Sequence, residues 1–131
     1  MATLARQLSL TTAAFLFLIS TSQADASTHA TTTKASVYSN KLAGKKTASG
    51  KLYKPGSMTA ASKSLPIGSK VQVKNKNTGK KAIVTITDRG PNVKGRGIDL
   101  SRKAANTVGV KGVSEVSVKP LTVPGKGSKN Q

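Results

Sequence analysis

Two short segments in the middle of the chain carry the clearest pattern for secondary structure. Lys70 to Lys74 alternates polar and apolar residues, and Ala82 to Ile86 is rich in β-branched residues. Alternation with a period of two is typical of a strand with one buried face. Asn77-Thr78-Gly79, between them, has the composition of a turn. We therefore predict a β-hairpin whose second strand is apolar on both faces and central in its sheet.

Three further segments have the composition of short strands. They are Ala35 to Ser39, Met58 to Ser62 and Val113 to Leu121. In the last of these, the alternation predicts that Val116 and Val118 point inward. With the two strands of the hairpin, we expect about six short strands in all, joined by long Gly-containing connections.

One helix is predicted, from Ser101 to Val108. Ser101 can act as its N-cap, Leu100 and Ala104 begin an apolar repeat with a spacing of four, and Gly109 supplies a left-handed stop. A mainly β chain with short strands, one short helix and long connections is typical of a small closed β-barrel.

The first residues have the pattern of a secretory signal. Arg6 supplies a positive charge, Leu8 to Ile19 is a short apolar stretch, and Ala24-Asp25-Ala26 is a small-x-small cleavage site. A membrane anchor is the alternative interpretation, but a span requires about 20 apolar residues. Residues 1–26 are therefore predicted to be a signal peptide, and the protein is predicted to be exported to the periplasm or the extracellular space, with no transmembrane segment after cleavage.

The remainder is predicted to contain one domain, since the chain has 131 residues. Residues 27–34 are a Ser/Thr/Ala run that we interpret as a flexible leader. Residues 35–121 form the predicted barrel domain, and residues 122–131 are a basic tail that we expect to be disordered. Nothing in a small closed barrel indicates a dimer, so we expect a monomer.

The charge balance limits the partners. The chain has 22 Lys and Arg against 4 Asp and Glu, a formal net charge of +18. Such a charge favours an anionic cell-wall polymer or membrane surface as partner, or it serves only solubility. Nucleic acid is disfavoured because the chain is predicted to be exported and lacks an array of stacking aromatic residues. With no cysteine and the single histidine His29, we expect no metal and no cofactor.

Acidic residues are scarce, and two of the four lie close together in the sequence. Asp88 and Asp99 flank a loop with several glycines and two arginines, within the stretch from Thr87 to Ser101. A carboxylate in so basic a chain is a candidate for a specific local role. Each also has a structural alternative: Asp88 as a turn cap, and Asp99 as a helix cap or the partner of an arginine.

Five blocks of sequence, in order and spacing, resemble those of the rare lipoprotein A (RlpA) family, and the resemblance covers about Ala35 to Leu121. The blocks are Ala35-Ser36-Val37-Tyr38, Lys46-Thr47-Ala48-Ser49-Gly50, Thr59 to Ser69, Thr87-Asp88-Arg89-Gly90-Pro91 and Gly95 to Ser101. The resemblance implies a mainly β fold, a six-stranded double-psi β-barrel with one short helix. It also implies action on peptidoglycan, because members of the family are endolytic transglycosylases that prefer glycan strands without stem peptides.

The resemblance also bears on individual positions. Family members have a glutamate, a histidine and an aspartate where this chain has Lys51, Ser62 and Asp88, so only the aspartate is retained. The related expansin barrels depend on two aspartates that match Asp88 and Asp99, and both are present here.

The chemistry of a lytic transglycosylase is compatible with these residues. One carboxyl group can protonate the glycosidic oxygen and then accept the proton of the muramyl 6-hydroxyl, whereas hydrolysis commonly uses two carboxyls. We therefore predict Asp88 as the catalytic acid and base, with Asp99 positioning it or stabilising positive charge on the sugar. The nearby Arg89 and Arg96 would lower the pKa of Asp88, which predicts a weak enzyme or a protein that only binds glycan.

Four further residues are predicted to bind substrate: Tyr38, Ser62, Arg89 and Arg96. Tyr38 lines a glycan groove or belongs to the core, and the arginines bind the lactyl carboxylate of a muramyl sugar or hold the loop through Asp88 and Asp99. The predicted function is thus an exported lytic transglycosylase that cleaves stem-peptide-free glycan strands to 1,6-anhydro-muramyl ends. The alternative is a non-catalytic, expansin-like module that binds cell-wall glycan.

Overall fold

The computed structural model describes residues 29–125. The strands are β1 Thr31–Val37, β2 Thr59–Ser62, β3 Lys70–Asn75, β4 Lys81–Asp88, β5 Arg96–Leu100 and β6 Ser114–Thr122; they are accompanied by the α-helix α1 Arg102–Val108 and a short 3-10 helix, Asn40–Leu42. The predicted signal peptide, residues 1–26, and most of the predicted tail, residues 126–131, lie outside the described residues.

The six strands of residues 29–125 close into a barrel in the order β1-β5-β2-β4-β3-β6, with β6 also paired to β1. β1 pairs with β5 and β2 with β4 in parallel, and the other pairs are antiparallel. Closure pairs every strand on both sides, so no sheet edge is left open. A closed, mixed six-stranded barrel with one short helix confirms the predicted fold class.

The hairpin of β3 and β4 is confirmed, with Lys74 opposite Lys81 beside the turn. The second strand, β4, was predicted to be apolar on both faces and central, but only one of its faces lies in the core. Ala82, Val84 and Ile86 are buried, but 54% of Ile83 is exposed. A barrel has a single interior, so only alternate residues of a strand can reach the core.

The core is aliphatic, as expected for a chain with few aromatic residues. Its largest fully buried apolar side chains are Ile86, Ile98 and Leu100, surrounded by valines and alanines. Val116 and Val118 of β6 point inward as predicted, exposed by 0% and 6%. Burial of these side chains is the main stabilising contribution, because each removes apolar surface from water.

The helix α1 has the predicted caps. The Ser101 hydroxyl accepts the N–H of Ala104, and Gly109 ends the helix in the left-handed conformation, with φ of 76°. The carbonyl of Val108 in the last turn accepts a 3.0 Å hydrogen bond from the Asn75 side chain. The end of α1 is thus attached to β3 as well as packed on the barrel.

Two boundaries differ from the sequence-based expectation. β1 begins at Thr31, so residues 31–34, which were assigned to a flexible leader, form a strand; Thr31 lies opposite Val118 and Lys34 opposite Glu115. The sixth strand, β5, lies in a stretch that was interpreted as loop. The three threonines of β1 favour a strand, but they lack the apolar alternation that would have identified it. β5 contains Gly97 and Asp99, which are depleted in strands, so its structure depends on pairing within the barrel.

Within residues 29–125, no helix is long and apolar enough to cross a membrane.

Gly97 provides a test of the close contact between β1 and β5. A Cβ atom at this position would overlap the Thr33 hydroxyl and lie 3.0 Å from the Thr33 methyl group. We expect Gly97→Ala to lower the free energy of unfolding by about 1–3 kcal/mol, measured by urea denaturation, because overpacking forces neighbouring groups apart. Removing the obstructing atoms with Thr33→Ala should restore most of this loss.

Gly56→Ala is the matched control, because a Cβ atom at Gly56 would meet nothing within 4 Å. We expect the free energy of unfolding of this variant to lie within about 0.5 kcal/mol of the wild-type value. Equal effects of the two substitutions would contradict the contact between β1 and β5.

Candidate active site

Asp88 is the last residue of β4, and its carboxylate is held by three hydrogen bonds. Its Oδ1 accepts the backbone N–H of Ala48 at 3.0 Å and that of Arg89 at 2.9 Å. Its Oδ2 accepts the hydroxyl of Tyr38. All three partners are donors, so the arrangement matches an ionised carboxylate.

These contacts decide the pKa of Asp88. Partial burial raises the pKa, but the hydrogen bonds from Tyr38, Ala48 and Arg89 together lower it below the ordinary value for aspartate. Asp88 is therefore ionised at neutral pH. The sequence predicted a lowered pKa, but it attributed the effect to the charges of neighbouring arginines rather than to donated hydrogen bonds.

Tyr38 follows β1 and is itself held in place. Its ring packs against that of Tyr53, with centroids 4.4 Å apart and planes tilted by 56°. Tyr53 is buried, which makes it a rigid support. Burial, followed by the hydrogen bond to Asp88, raises the pKa of the Tyr38 hydroxyl far above its ordinary value. Tyr38 therefore keeps its proton and acts as a hydrogen-bond donor to Asp88.

The register of β2 places the second carboxylate on the same surface. Ala61 lies opposite Asp88 on β4 and opposite Asp99 on β5. The register between β2 and β4 shifts between Ala60 and Ala61, which interrupts the inward–outward alternation of β4 before Asp88. Strands lie about 4.8 Å apart, so the Cα atoms of Asp88 and Asp99 are roughly 10 Å apart. Between the two aspartates, β2 contributes the small side chain of Ala61, which is 1% exposed.

Asp99 accepts a hydrogen bond from the hydroxyl of Ser36, its partner on β1. It lines an open cavity of about 330 Å³ together with Tyr38, Arg89 and Arg96. The structure therefore brings Asp99, Tyr38, Arg89 and Arg96 to one depression. Asp88 is hydrogen-bonded to Tyr38, which forms part of its wall.

Arg89 makes contacts that sequence reasoning did not predict. Its guanidinium donates to the backbone carbonyls of Ser62, at 3.0 Å, and Leu65. It thus ties the loop after β4 to the end of β2 through carbonyl groups. Within residues 29–125 the ion pair is that of Lys76 with Glu115, at 3.2 Å, so neither Arg89 nor Arg96 pairs with Asp88 or Asp99 there.

Ser62 lies away from this depression. It is exposed by 1%, and its hydroxyl accepts the backbone N–H groups of Ser64 and Leu65 at 3.3 and 3.2 Å. It borders a different cavity, beside Thr31 and Val118. The side chain caps the turn after β2, and its predicted contact with substrate stays a prediction.

Asp88 itself borders a small cavity of about 10 Å³, which Tyr38 and Tyr53 also line. A larger groove, of about 590 Å³, is lined by Thr87, the residue before Asp88. Residues of the 47–54 segment and the outward-facing threonines of β4 form its walls: Thr47, Gly50, Lys51, Leu52, Tyr53, Lys54, Ser57, Thr59, Thr85 and Thr87. Hydroxyl groups and two lysines dominate this surface. Sequence reasoning missed Lys54, Thr85 and Thr87, although the alternation of β4 could have identified the threonines as outward-facing residues.

A turn connects this groove to Asp88. The backbone N–H and the hydroxyl of Thr47 both donate to the carbonyl of Lys51, at 2.9 and 2.7 Å, and Ala48 in the same turn binds Asp88. Lys51 therefore lines the groove beside the carboxylate, at the position where the resemblance implied a glutamate. No group of three potential metal-binding side chains occurs among the described residues.

The closed barrel, with an ionised aspartate near two open depressions, defines the class of protein: a small β-barrel with a carboxylate-based candidate site. Comparison with known proteins places the chain more closely. The sequence profile of the family described as "Lytic transglycolase" matches residues 30–119. The chain belongs to this family, which confirms the predicted double-psi β-barrel and its relation to the RlpA proteins.

One similar relative is the "Endolytic peptidoglycan transglycosylase RlpA" of Pasteurella multocida, which is 48% identical over 95 residues, covering 71% of this chain and 32% of the relative. The RlpA of Vibrio cholerae is 47% identical over 92 residues, covering 69% and 35%. The chain therefore spans about a third of the length of these curated relatives.

A solved expansin structure from Clavibacter michiganensis matches with a TM-score of 0.55 and 20% identity, over 73% of this chain and 52% of the expansin. This likeness concerns the fold alone.

Replacing Tyr38 with phenylalanine tests how the Asp88 carboxylate is held. The substitution removes one of the hydrogen bonds that lower the pKa of Asp88, so we expect that pKa to rise, as measured by carbon-13 NMR titration. Because the folded-state pKa of Asp88 is depressed, its stabilising contribution is present above the unfolded pKa and is lost as the pH falls through the folded pKa. Tyr38→Phe should therefore be less stable than the wild type near neutral pH, and this difference should shrink in acid.

Tyr53→Phe is the control, because the Tyr53 hydroxyl is 3.4 Å from the backbone N of Arg102 and does not bind Asp88. An unchanged Asp88 pKa in Tyr38→Phe, or an equal change in both variants, would contradict the assigned role of Tyr38.

Proposed function

We propose that this chain acts on peptidoglycan as a lytic transglycosylase, with Asp88 as the catalytic acid and base. The observation that carries the proposal is Asp88 itself, half-buried and held by three donors, with its partner Tyr38 lining one open depression and its neighbour Thr87 lining another. Support for the substrate comes from the relatives of 48% and 47% identity that are named endolytic peptidoglycan transglycosylases. The hydroxyl-rich groove beside Asp88 has a surface suited to a sugar chain.

The proposed reaction requires two proton transfers. Asp88 in its protonated form gives its proton to the glycosidic oxygen as the bond from that oxygen to the anomeric carbon breaks. The muramyl 6-hydroxyl then attacks the anomeric carbon, and the Asp88 carboxylate accepts its proton, which closes the 1,6-anhydro ring and restores the acid. No water is consumed, so one carboxyl group is sufficient.

The hydrogen bonds to Asp88 favour one of these steps over the other. An ionised carboxylate is ready to accept the hydroxyl proton, but only a small fraction of Asp88 is protonated near neutral pH because its pKa is lowered. Protonation of the leaving oxygen is therefore the slow step at neutral pH, and acidic conditions favour the reaction.

The residues of the second depression are proposed to bind the sugar. Asp99, whose Cα atom is roughly 10 Å from that of Asp88 by the strand spacing, is proposed to stabilise positive charge that develops on the ring. Arg96 lines the same cavity and is proposed to bind the lactyl carboxylate of a muramyl sugar, which a planar guanidinium can contact through two hydrogen bonds. Arg89 contributes its remaining donors, and Tyr38 supplies one wall.

A non-catalytic, expansin-like module that binds cell-wall glycan is the second candidate. One observation favours it: Lys51 stands in the groove where the resemblance implied a glutamate, and Ser62 caps a turn where it implied a histidine. A lysine supplies positive charge for an anionic glycan but no acid for its cleavage.

We further propose that the protein is exported, with residues 1–26 as the signal peptide, and that it meets its substrate in the periplasm or outside the cell. It is proposed to act as a monomer on glycan strands, without nucleic acid, metal or cofactor. The formal net charge of +18 suits an anionic polymer as substrate.

The proposal is tested by incubating the protein with peptidoglycan glycan strands that lack stem peptides and identifying products by mass spectrometry. We expect 1,6-anhydro-muramyl ends with the wild type and a loss of at least about a hundred-fold in rate with Asp88→Asn, the scale of a general acid and base. Glu115→Gln is the matched control, because it also removes one carboxylate but lies on β6 in an ion pair with Lys76. It should retain the wild-type rate.

If the wild type binds the glycan but releases no anhydro products, the enzyme hypothesis is wrong and the non-catalytic binding module is favoured. Equal rates for the wild type and Asp88→Asn would show that Asp88 is not the acid and base.

A further inference from the structure

Four lysines cluster on the outer wall of the barrel, away from Asp88. They project from β3, β4 and β6 and are all exposed: Lys70, Lys74, Lys81 and Lys119. We call this surface the lysine face. In each of these strands the alternate residues are buried in the core, so the four side chains share the outward side.

The strand register sets the four lysines next to one another. Lys74 lies directly opposite Lys81 on β4, and Lys119 lies opposite Gln72, the residue between Lys70 and Lys74. Directly opposite residues have Cβ atoms about 5 Å apart, and diagonal neighbours are about 7–8 Å apart. Every lysine of the cluster therefore has another lysine as a near neighbour, and like charges directly opposite each other destabilise a sheet.

The described part of the protein does not compensate this charge. The acidic residues of 29–125 are Asp88, Asp99 and Glu115. Asp88 and Asp99 belong to the candidate active site, and Glu115 pairs with Lys76 at 3.2 Å. Among the described residues, no carboxylate forms an ion pair with a lysine of the face. The repulsion between the opposed lysines therefore costs stability.

The lysine face also carries apolar and hydrogen-bonding groups. Ile83, opposite Gln72, is 54% exposed, and both lie among the four lysines. An exposed aliphatic side chain can pack against the apolar side of a sugar ring, while the Gln72 amide can bond to hydroxyl groups. The face is continuous with the groove beside Asp88, because Thr85 lies opposite Lys70 and also lines that groove.

We propose that the lysine face is a second binding site, for the part of an anionic glycan strand that extends beyond the groove, with the lysines binding its free carboxylates. The strand would run from the depressions around Asp88 past Thr85 and onto β3, β4 and β6. The site holds the polymer without contributing to bond cleavage. The inference takes its ligand class from the function proposed above and rests on it in that respect alone.

The test measures binding rather than cleavage. Stem-peptide-free glycan strands are titrated at low and moderate salt with the wild type and two quadruple variants: the face variant K70Q/K74Q/K81Q/K119Q and the control K41Q/K45Q/K103Q/K111Q. Both variants lose four positive charges, and the control lysines are exposed residues outside the face. We expect the face variant to bind about ten-fold more weakly at low salt and to lose most of the salt dependence, because fewer charge contacts remain to be screened. The control should stay within about two-fold of the wild type.

Two further measurements test whether the lysines bind carboxylates or stabilise the fold. The unfolding temperature of the face variant should equal or exceed that of the wild type, because removing opposed lysines relieves repulsion. A much lower unfolding temperature would mean that the lysines stabilise the fold. Strands with methyl-esterified carboxylates should bind all three proteins weakly.

Equal weakening in the face and control variants would overturn the inference, since net charge alone would explain it. Undiminished binding to the esterified strands, or face-dependent binding of a poly(glycerol phosphate) polymer but not of the carboxylate glycan, would also overturn it. Release of anhydro products and binding of glycan are measured separately. A failure of the proposed catalysis is therefore distinguishable from a failure of glycan binding to the lysine face.

Discussion

The hydrogen bond from Tyr38 to Asp88 is the contact on which the candidate site depends. It joins the end of β1 to the end of β4, which β5 and β2 separate in the barrel. The Tyr53 ring, packed against that of Tyr38, supports this connection. The same bond, together with those from the Ala48 and Arg89 backbone, lowers the pKa of Asp88.

Much of the barrel could be predicted from the sequence. The hairpin of β3 and β4, the inward valines of β6 and the caps of α1 follow from alternation and capping residues, which act locally. β5 and the start of β1 could not be predicted this way. Gly97 has weak strand propensity, and the threonines before Lys34, although β-branched, show no apolar alternation. Both segments form strands because the closed barrel satisfies their backbone groups.

The candidate site was predictable in its residues but not in its contacts. Asp88 and Asp99 were identified because acidic residues are scarce in so basic a chain, whereas their shared partner Ala61 depends on the register of β2 with two strands. Arg89 was expected near carboxylates, yet it binds the carbonyls of Ser62 and Leu65. Sequence shows which charges are present, but only the fold decides which carbonyl or carboxylate each charge meets.

A structure of the Asp88→Asn variant bound to a stem-peptide-free glycan oligosaccharide tests the central claim most directly, since the substitution keeps the shape of the site and prevents turnover. We predict that one sugar lies in the groove between Lys51 and Thr87, with its glycosidic oxygen within hydrogen-bond distance of residue 88. The next sugar should lie in the depression lined by Asp99 and Arg96. A glycan that contacts residue 88 in neither depression, and occupies only the cavity beside Ser62 or another surface, would contradict the account.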